Sequence, residues 1–221
     1  LNSAITDEAV RVVVLQGDAT VFSAGSDIGD FQNRQASGEG ITPDSPVFQF
    51  LQALSTFPKP LVAAVAGPAV GIGTTILLHC DLVYAGDNAA FAMPFVNLGL
   101  CPEAASSLLL PRLMGYQRAA EALLLGEPFM AEAALEVGLV NRVVPPTEVN
   151  GVAQAQAAKL AAKPLSSLMA TKRLMKADYA ADVQAKMLEE GQTFSRMLSE
   201  PAAREAFTAF MEKRKPNFSQ Y

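Results

Sequence analysis

Residues Pro58–Thr75 read PKPLVAAVAGPAVGIGTT. Leu61–Ala66 is an unbroken apolar run, the pattern of a strand covered on both faces. Gly67, Pro68, Gly71 and Gly73 then break the run, and Thr74–Cys80 resumes with helical character. Strand, glycine-rich turn and helix in that order mark one repeat of an α/β sheet. The uncharged stretch Leu61–Cys80 has about the length of a bilayer span. Its central proline and clustered glycines read instead as strand–turn–helix buried in protein, so no membrane association is expected.

Outward from this stretch, Val10–Leu15 (VRVVVL) is a second continuous apolar strand, Asp81–Ala85 a third, and Ala90–Met93 a short fourth stopped by Pro94. Gly17 and Asp18 mark a turn, and Val21–Ile28 contains a tight polar bend at Gly25. Phe31–Pro46 is polar and rich in Gly and Pro, without periodicity. It is expected to be a mobile surface segment bordering the site. Phe48, Leu51 and Leu54 lie on one face of a helix over Phe48–Phe57, ended by Pro58 and Pro60. From Ala104 onward the pattern is helical, with segments at 119–125, 131–137, 152–162, 165–177, 181–199 and 201–213. These segments predict an α/β core over residues 1–160 and a helical region over 161–221.

The 221 residues are 50% hydrophobic and 18% charged, which excludes a disordered chain. A net charge of −5 argues against a nucleic-acid partner, whose phosphates demand cationic surface. Two cysteines exclude a disulfide framework, and the single histidine argues against a zinc site; no metal is expected. Leu1–Ser3 lacks a basic leader, so a cytoplasmic protein is expected.

Three segments carry candidate chemistry: FSAGSDI (22–28), GPAVGIGTT (67–75) and NLGLCPEAASS (97–107). Each alone has an ordinary reading: a turn, a helix packed closely on a strand, and a first-turn acid at a helix N-terminus. In this order, together with VRVVVLQG, CDLVYAGDNAAFAMP and FMEKRKPNFS, they resemble the crotonase superfamily, the enoyl-CoA hydratase/isomerase family, from Val10 to Ser219. The family pattern places a β-hairpin and a longer helix before the VRVVVL strand, where this sequence has residues 1–9.

The resemblance implies a spiral of ββα units with a helical C-terminal region that builds trimers or pairs of trimers. It implies an acyl-CoA thioester as substrate, with CoA part of that substrate and no further cofactor. The thioester oxygen would meet an oxyanion hole made by the N–H groups of Ser26 and Ile72. Gly25 and Gly71 would let the backbone approach closely, and Ala24, Asp27, Ile28, Gly71, Phe95, Leu98 and Leu100 would line the substrate site. Ile72 stands where the family often has glycine.

The acids distinguish the reaction. The two glutamates with which family hydratases hold water fall at Thr75 and Phe95 here, and neither can act as acid or base on water. Glu103, after Pro102, matches instead the single carboxylate of the Δ3,Δ2-enoyl-CoA isomerase branch. Glu103 would move a proton from C2 to C4, with Phe95, Leu98 and Leu100 excluding water around it. Lys213, Arg214 and Lys215 match a tail that meets the CoA phosphates. His79 reads as a packed core histidine. The alternatives are a non-catalytic acyl-CoA-binding module and another family reaction such as hydration. A dinucleotide site is disfavoured because the glycines run GxxxGxG, not GxGxxG.

Overall fold

The computed structural model describes residues 1–37, 40 and 42–221. Its strands are β1 (Val13–Gln16), β2 (Leu61–Val65), β3 (Pro68–Val70), β4 (Leu82–Gly86), β5 (Ala90–Ala92), β6 (Phe129–Met130) and β7 (Arg142–Val144). The first sheet runs β1-β2-β4-β7, all parallel, with Val13 opposite Leu61, Val62 opposite Leu82 and Tyr84 opposite Arg142. The second runs β3-β5-β6, parallel and then antiparallel. Strand β2 leads directly into β3, and β4 into β5, so successive turns of chain add a strand first to one sheet and then to the other. Strand β1 begins the same path: Ser23, downstream of it, forms a parallel bridge to Ala69 beside β3. This is the expected spiral.

The helices are α1 (Asn2–Thr6), α2 (Ile28–Ser37), α3 (Pro46–Ser55), α4 (Ile72–Thr75), α5 (Ser106–Met114), α6 (Tyr116–Ala120), α7 (Ala131–Glu136), α8 (Val149–Ala161), α9 (Leu165–Lys176), α10 (Ala180–Leu198) and α11 (Pro201–Met211). The continuous apolar character of β2 has its cause in both faces being covered. Val62, Ala64 and Tyr84 meet Val149, Ala153 and Ala157, one stripe of α8. Ala63, Val65, Val83 and Ala85 point the other way, into a cluster with Leu77 and Phe91. Alanine on facing positions lets helix and sheet approach closely.

Helix α9 is fixed to the sheet by charge. The buried Lys172 ammonium donates to Asp81 Oδ2 at 2.7 Å and to Lys59 O at 2.9 Å, while the Leu61 amide donates to the same Asp81 oxygen at 2.7 Å. Helices α10 and α11 turn back onto the core through Phe194, Leu198, Ala203 and Phe207, which pack with Met93, Phe95 and Leu100.

Three expectations are corrected. The region after Ala104 is not helical throughout: β7 returns to pair with β4, because Arg142-Val143-Val144 presents two β-branched residues at an open sheet edge. Thr74–Cys80 is not one helix but the single turn α4 followed by a 3₁₀ segment, Ile76–His79. Residues 31–37, expected as a mobile segment, are the body of α2. Asp27 Oδ1 accepts from the Gly29 amide at 2.7 Å at the helix start, Phe31 packs on Phe194 and Phe207 at ring separations of 5.8 and 5.9 Å, and Gln35 Nε2 donates to Leu198 O at 2.5 Å. Of the rest of that segment, Gly38, Glu39 and Ile41 lie outside the described residues. Among the described residues no helix is long and apolar enough to cross a membrane.

Candidate active site

Two backbone segments form one wall of the site. The amides of Phe22 and Ser23 both donate to Pro68 O at 3.1 Å, and the Val70 amide donates to Ser23 O at 2.9 Å. These bonds flank the Ser23–Ala69 bridge, and Ser26 and Ile72 each lie three residues beyond it. Both residues line the same cavities. Neither amide donates to any described residue. Gly25 has φ +90°, and a Cβ there would stand 2.9 Å from Val70 O, so the loop can lie against β3 only with glycine. Gly71 has φ +56° and opens α4, with no atom within 4 Å of where its Cβ would be. Since α4 is a single turn, the exposed amides themselves matter here rather than the dipole of a long helix.

The opposite wall carries Glu103. Its backbone leads into a tight left-handed turn: Ala104 and Ala105 have φ of 61° and 58°, and the Ser106 amide and hydroxyl return to Glu103 O at 3.1 and 2.6 Å. Left-handed geometry costs an L-residue roughly 1–2 kcal/mol, so the turn needs outside support. His79 supplies part of it. Burial pushes its pKa down to about 4, and the neutral ring donates from Nε2 to Ala104 O at 2.8 Å. Glu190 of α10 supplies the rest, accepting from the Ala105 amide at 2.6 Å and from the Ser107 amide and hydroxyl at 3.0 and 2.5 Å.

The Glu103 carboxyl projects from this turn into the protein. Oε1 accepts from the Thr75 hydroxyl, and Oε2 is buried without a partner among the described residues. Burial pushes its pKa up to about 7; the Thr75 hydrogen bond opposes the rise and the nearby Glu190 charge adds to it. The carboxyl therefore gains and loses its proton near neutrality, and Oε2 meets no partner among the described residues.

Glu103 opens onto a cavity of about 140 Å³ bordered by Ser26, Ile72, Phe95, Phe48, Leu51 and Met187. Asp30 and Arg34 of α2 also border it. A neighbouring cavity of about 590 Å³ shares Ser26, Ile72, Phe95, Phe31 and Phe194 with it, and is lined further by Ala24, Asp27, Ile28, Gly71, Leu98 and Leu100. The expected site residues thus divide. Ser26, Ile72 and Phe95 stand at the junction, Glu103 lies on one side, and the others lie on the far side. Leu98 and Leu100 do not border the Glu103 cavity; Phe48, Leu51 and Met187 do. Helices α3 and α10 bring those residues in from distant sequence, and no local signal marks them. Thr75 carried a signal, since the family pattern that the sequence resembles has an acid at this position, and it meets Glu103 directly.

The family profile described as "Enoyl-CoA hydratase/isomerase" matches residues 1–221. The chain belongs to this family. It is 34% identical to the 2,3-dehydroadipyl-CoA hydratase of Escherichia coli over 99% of this chain and 84% of the relative. It is 36% identical to the enoyl-CoA delta isomerase 2 of Rattus norvegicus over 90% of this chain and 52% of that protein. The solved structure of Pseudomonas aeruginosa OdaA is 47% identical over 95% of this chain and 84% of that one, with a TM-score of 0.91. Enoyl-CoA hydratase/isomerase relatives thus carry both reaction names, and the fold alone does not choose between them. In the tail, Arg214 is engaged internally: it pairs with both oxygens of Glu205 at 2.6 and 3.0 Å and with Glu212 at 2.6 Å. Among the described residues, Lys213 and Lys215 enter no ion pair.

Proposed function

We propose that this member of the enoyl-CoA hydratase/isomerase family moves the double bond of a 3-enoyl-CoA to the 2-position by proton transfer through Glu103. The observation that carries the reading is the buried Glu103 carboxyl, one oxygen of which has no partner among the described residues, on the cavity bordered by Ser26 and Ile72, whose amides donate to no described residue. Glu103 as carboxylate takes a proton from C2. The electron pair moves toward the thioester carbonyl, and the resulting dienolate oxygen is held by the two amides. One such donor is typically worth about 2.7–4 kcal/mol in the transition state. The protonated Glu103 returns the proton at C4, leaving the double bond between C2 and C3. One base suffices, and no cofactor beyond the CoA of the substrate enters the step. The raised Glu103 pKa supports the reading, because the same group must both accept and release a proton near neutral pH.

Hydration is the second reading, favoured by the hydratase name of the 34% identical relative. Against it, the positions of the two water-holding acids are Thr75 and Phe95, both buried. A panel of cis- and trans-3-enoyl-CoA, 2-enoyl-CoA and saturated acyl-CoA separates the readings. Isomerisation of the 3-enoyl substrates is expected, with negligible 3-hydroxyacyl-CoA from the 2-enoyl substrate. Glu103→Gln should bind saturated acyl-CoA and lose at least ~10²-fold in isomerisation rate. Near-wild-type turnover by that variant, or efficient hydration by the parent, would sink the assignment. Binding without any turnover would instead indicate an acyl-CoA-binding module.

A further inference from the structure

Ala104 and Ala105 are adjacent non-glycine residues at positive φ, and they directly follow Glu103. The direction in which the Glu103 carboxyl leaves the backbone therefore depends on whatever keeps this turn left-handed. We propose that Glu190 is a positioning residue for Glu103, clamping the turn from which the Glu103 carboxyl enters the cavity. The inference rests on the reading of Glu103 as the proton carrier.

Three donors converge on the Glu190 carboxyl: the amides of Ala105 and Ser107 and the Ser107 hydroxyl. They occupy both oxygens. A glutamine would turn its NH₂ toward donor groups on one side, so the pocket is built for an acceptor-only group. Glu190 is itself buried, and burying a carboxylate is costly unless its hydrogen bonds are complete. Its bonds are made to the residues that fix the exit of the turn, while its own helix lies more than eighty residues along the chain. A cap for α5 alone would need one acceptor oxygen; here the second oxygen reaches back to Ala105, inside the turn.

The charged and titratable groups around this clamp are few. Burial raises the Glu190 pKa, while the bonds from Ser107 and Ala105, and Lys186 one helical turn before it, oppose the rise. Cys101 donates to Glu190 O at 3.7 Å as a neutral thiol, its pKa pushed up to about 11, and Arg196 also acts on that thiol. His79 on the other side of the turn is neutral, held so by burial and by Lys172 and Lys176. The Glu190 charge accordingly opposes ionisation of Glu103, and removing it should make Glu103 easier to deprotonate.

The test compares the full chain with Glu190→Gln. Three quantities are followed: saturated acyl-CoA affinity, kcat for 3-enoyl-CoA, and the Glu103 carboxyl titration read by infrared difference spectroscopy, its band assigned by loss in Glu103→Gln. For Glu190→Gln, affinity should stay within about twofold, kcat should fall on the order of 10²-fold as the base is misplaced, and the Glu103 midpoint should move below its parent value. A folded Glu190→Gln with parental kcat, or with an unmoved midpoint, overturns the proposal. If that variant does not fold, the triple variant Ala104→Gly, Ala105→Gly, Glu190→Gln replaces it, since glycine takes positive φ without strain. A kcat in the folded triple variant well below that of Ala104→Gly, Ala105→Gly alone supports the clamp, and equal kcat in the two overturns it. Full activity of Glu103→Gln would remove the underlying reading. An inactive Glu103→Gln beside a fully active Glu190→Gln removes this inference alone.

Discussion

Glu103 carries a pKa raised from 4.5 to about 7, chiefly because its carboxyl is buried, and two consequences follow with definite signs. The base is the ionised form, so kcat/KM for isomerisation should climb as pH rises toward about 7 and level off above it. A profile flat from pH 5 to 8 would remove Glu103 as the base. Stability runs the opposite way. A carboxyl whose pKa is higher in the folded state favours folding most fully below 4.5, and that contribution fades as pH rises through about 7. The gap corresponds to roughly 3 kcal/mol. Glu103→Gln, which cannot ionise, should therefore match the parent in stability near pH 4 and exceed it by up to roughly 3 kcal/mol at pH 8. Urea midpoints at the two pH values decide this, and equal differences at both would show that the carboxyl is not held protonated by the fold.

Among the elements, those with a continuous or periodic apolar pattern were legible from sequence. The run Leu61–Val65 announces a strand covered on both faces, and α8, α10 and α11 announce their buried stripes. Helix α2 was hidden because its apolar contacts, Ile28 and Phe31, sit in a sequence of Gly, Asp, Gln and Asn that reads as loop. Strand β7 was hidden by being three residues long, too short for alternation to register. At the site, the acid after Pro102 was legible by its resemblance. The support from Glu190 and His79 was not, because a hydrogen bond between distant segments leaves no spacing pattern in either. Lys172 is a further case: in sequence it is one cation on a helix, and in the fold it is the buried partner of Asp81. Replacing it with alanine would strand the Asp81 charge beside α9. Removing one partner of a buried pair typically costs about 3–5 kcal/mol. Lys172→Ala should lower the urea midpoint accordingly, and a loss under about 1 kcal/mol would show that water screens the pair in solution.

Across the whole molecule, the apolar residues of the C-terminal helices sort into two groups. Met187, Phe194, Leu198 and Phe207 lie inside the chain's own core. Leu174 and Met175 on α9 and Phe210 and Met211 on α11 remain 58–64% exposed. A homotrimer or a pair of trimers built partly on these side chains is expected, and light scattering at micromolar concentration should give at least three chains per particle. A monomer would contradict it. The bridge between Ser23 and Ala69 has a separate consequence at this scale. Ser26 comes from one turn of the spiral and Ile72 from the next, so neither half-built turn contains a pair of donors. If the two amides hold the thioester oxygen as proposed, an unfolded or partly folded chain would have nowhere to seat it, and ligand would be taken up by the completed spiral alone. Acyl-CoA would then act on the folding equilibrium itself: at a hundred times its dissociation constant it would add about 2.7 kcal/mol. The abundance of the folded protein would be tied to the supply of the compound it binds.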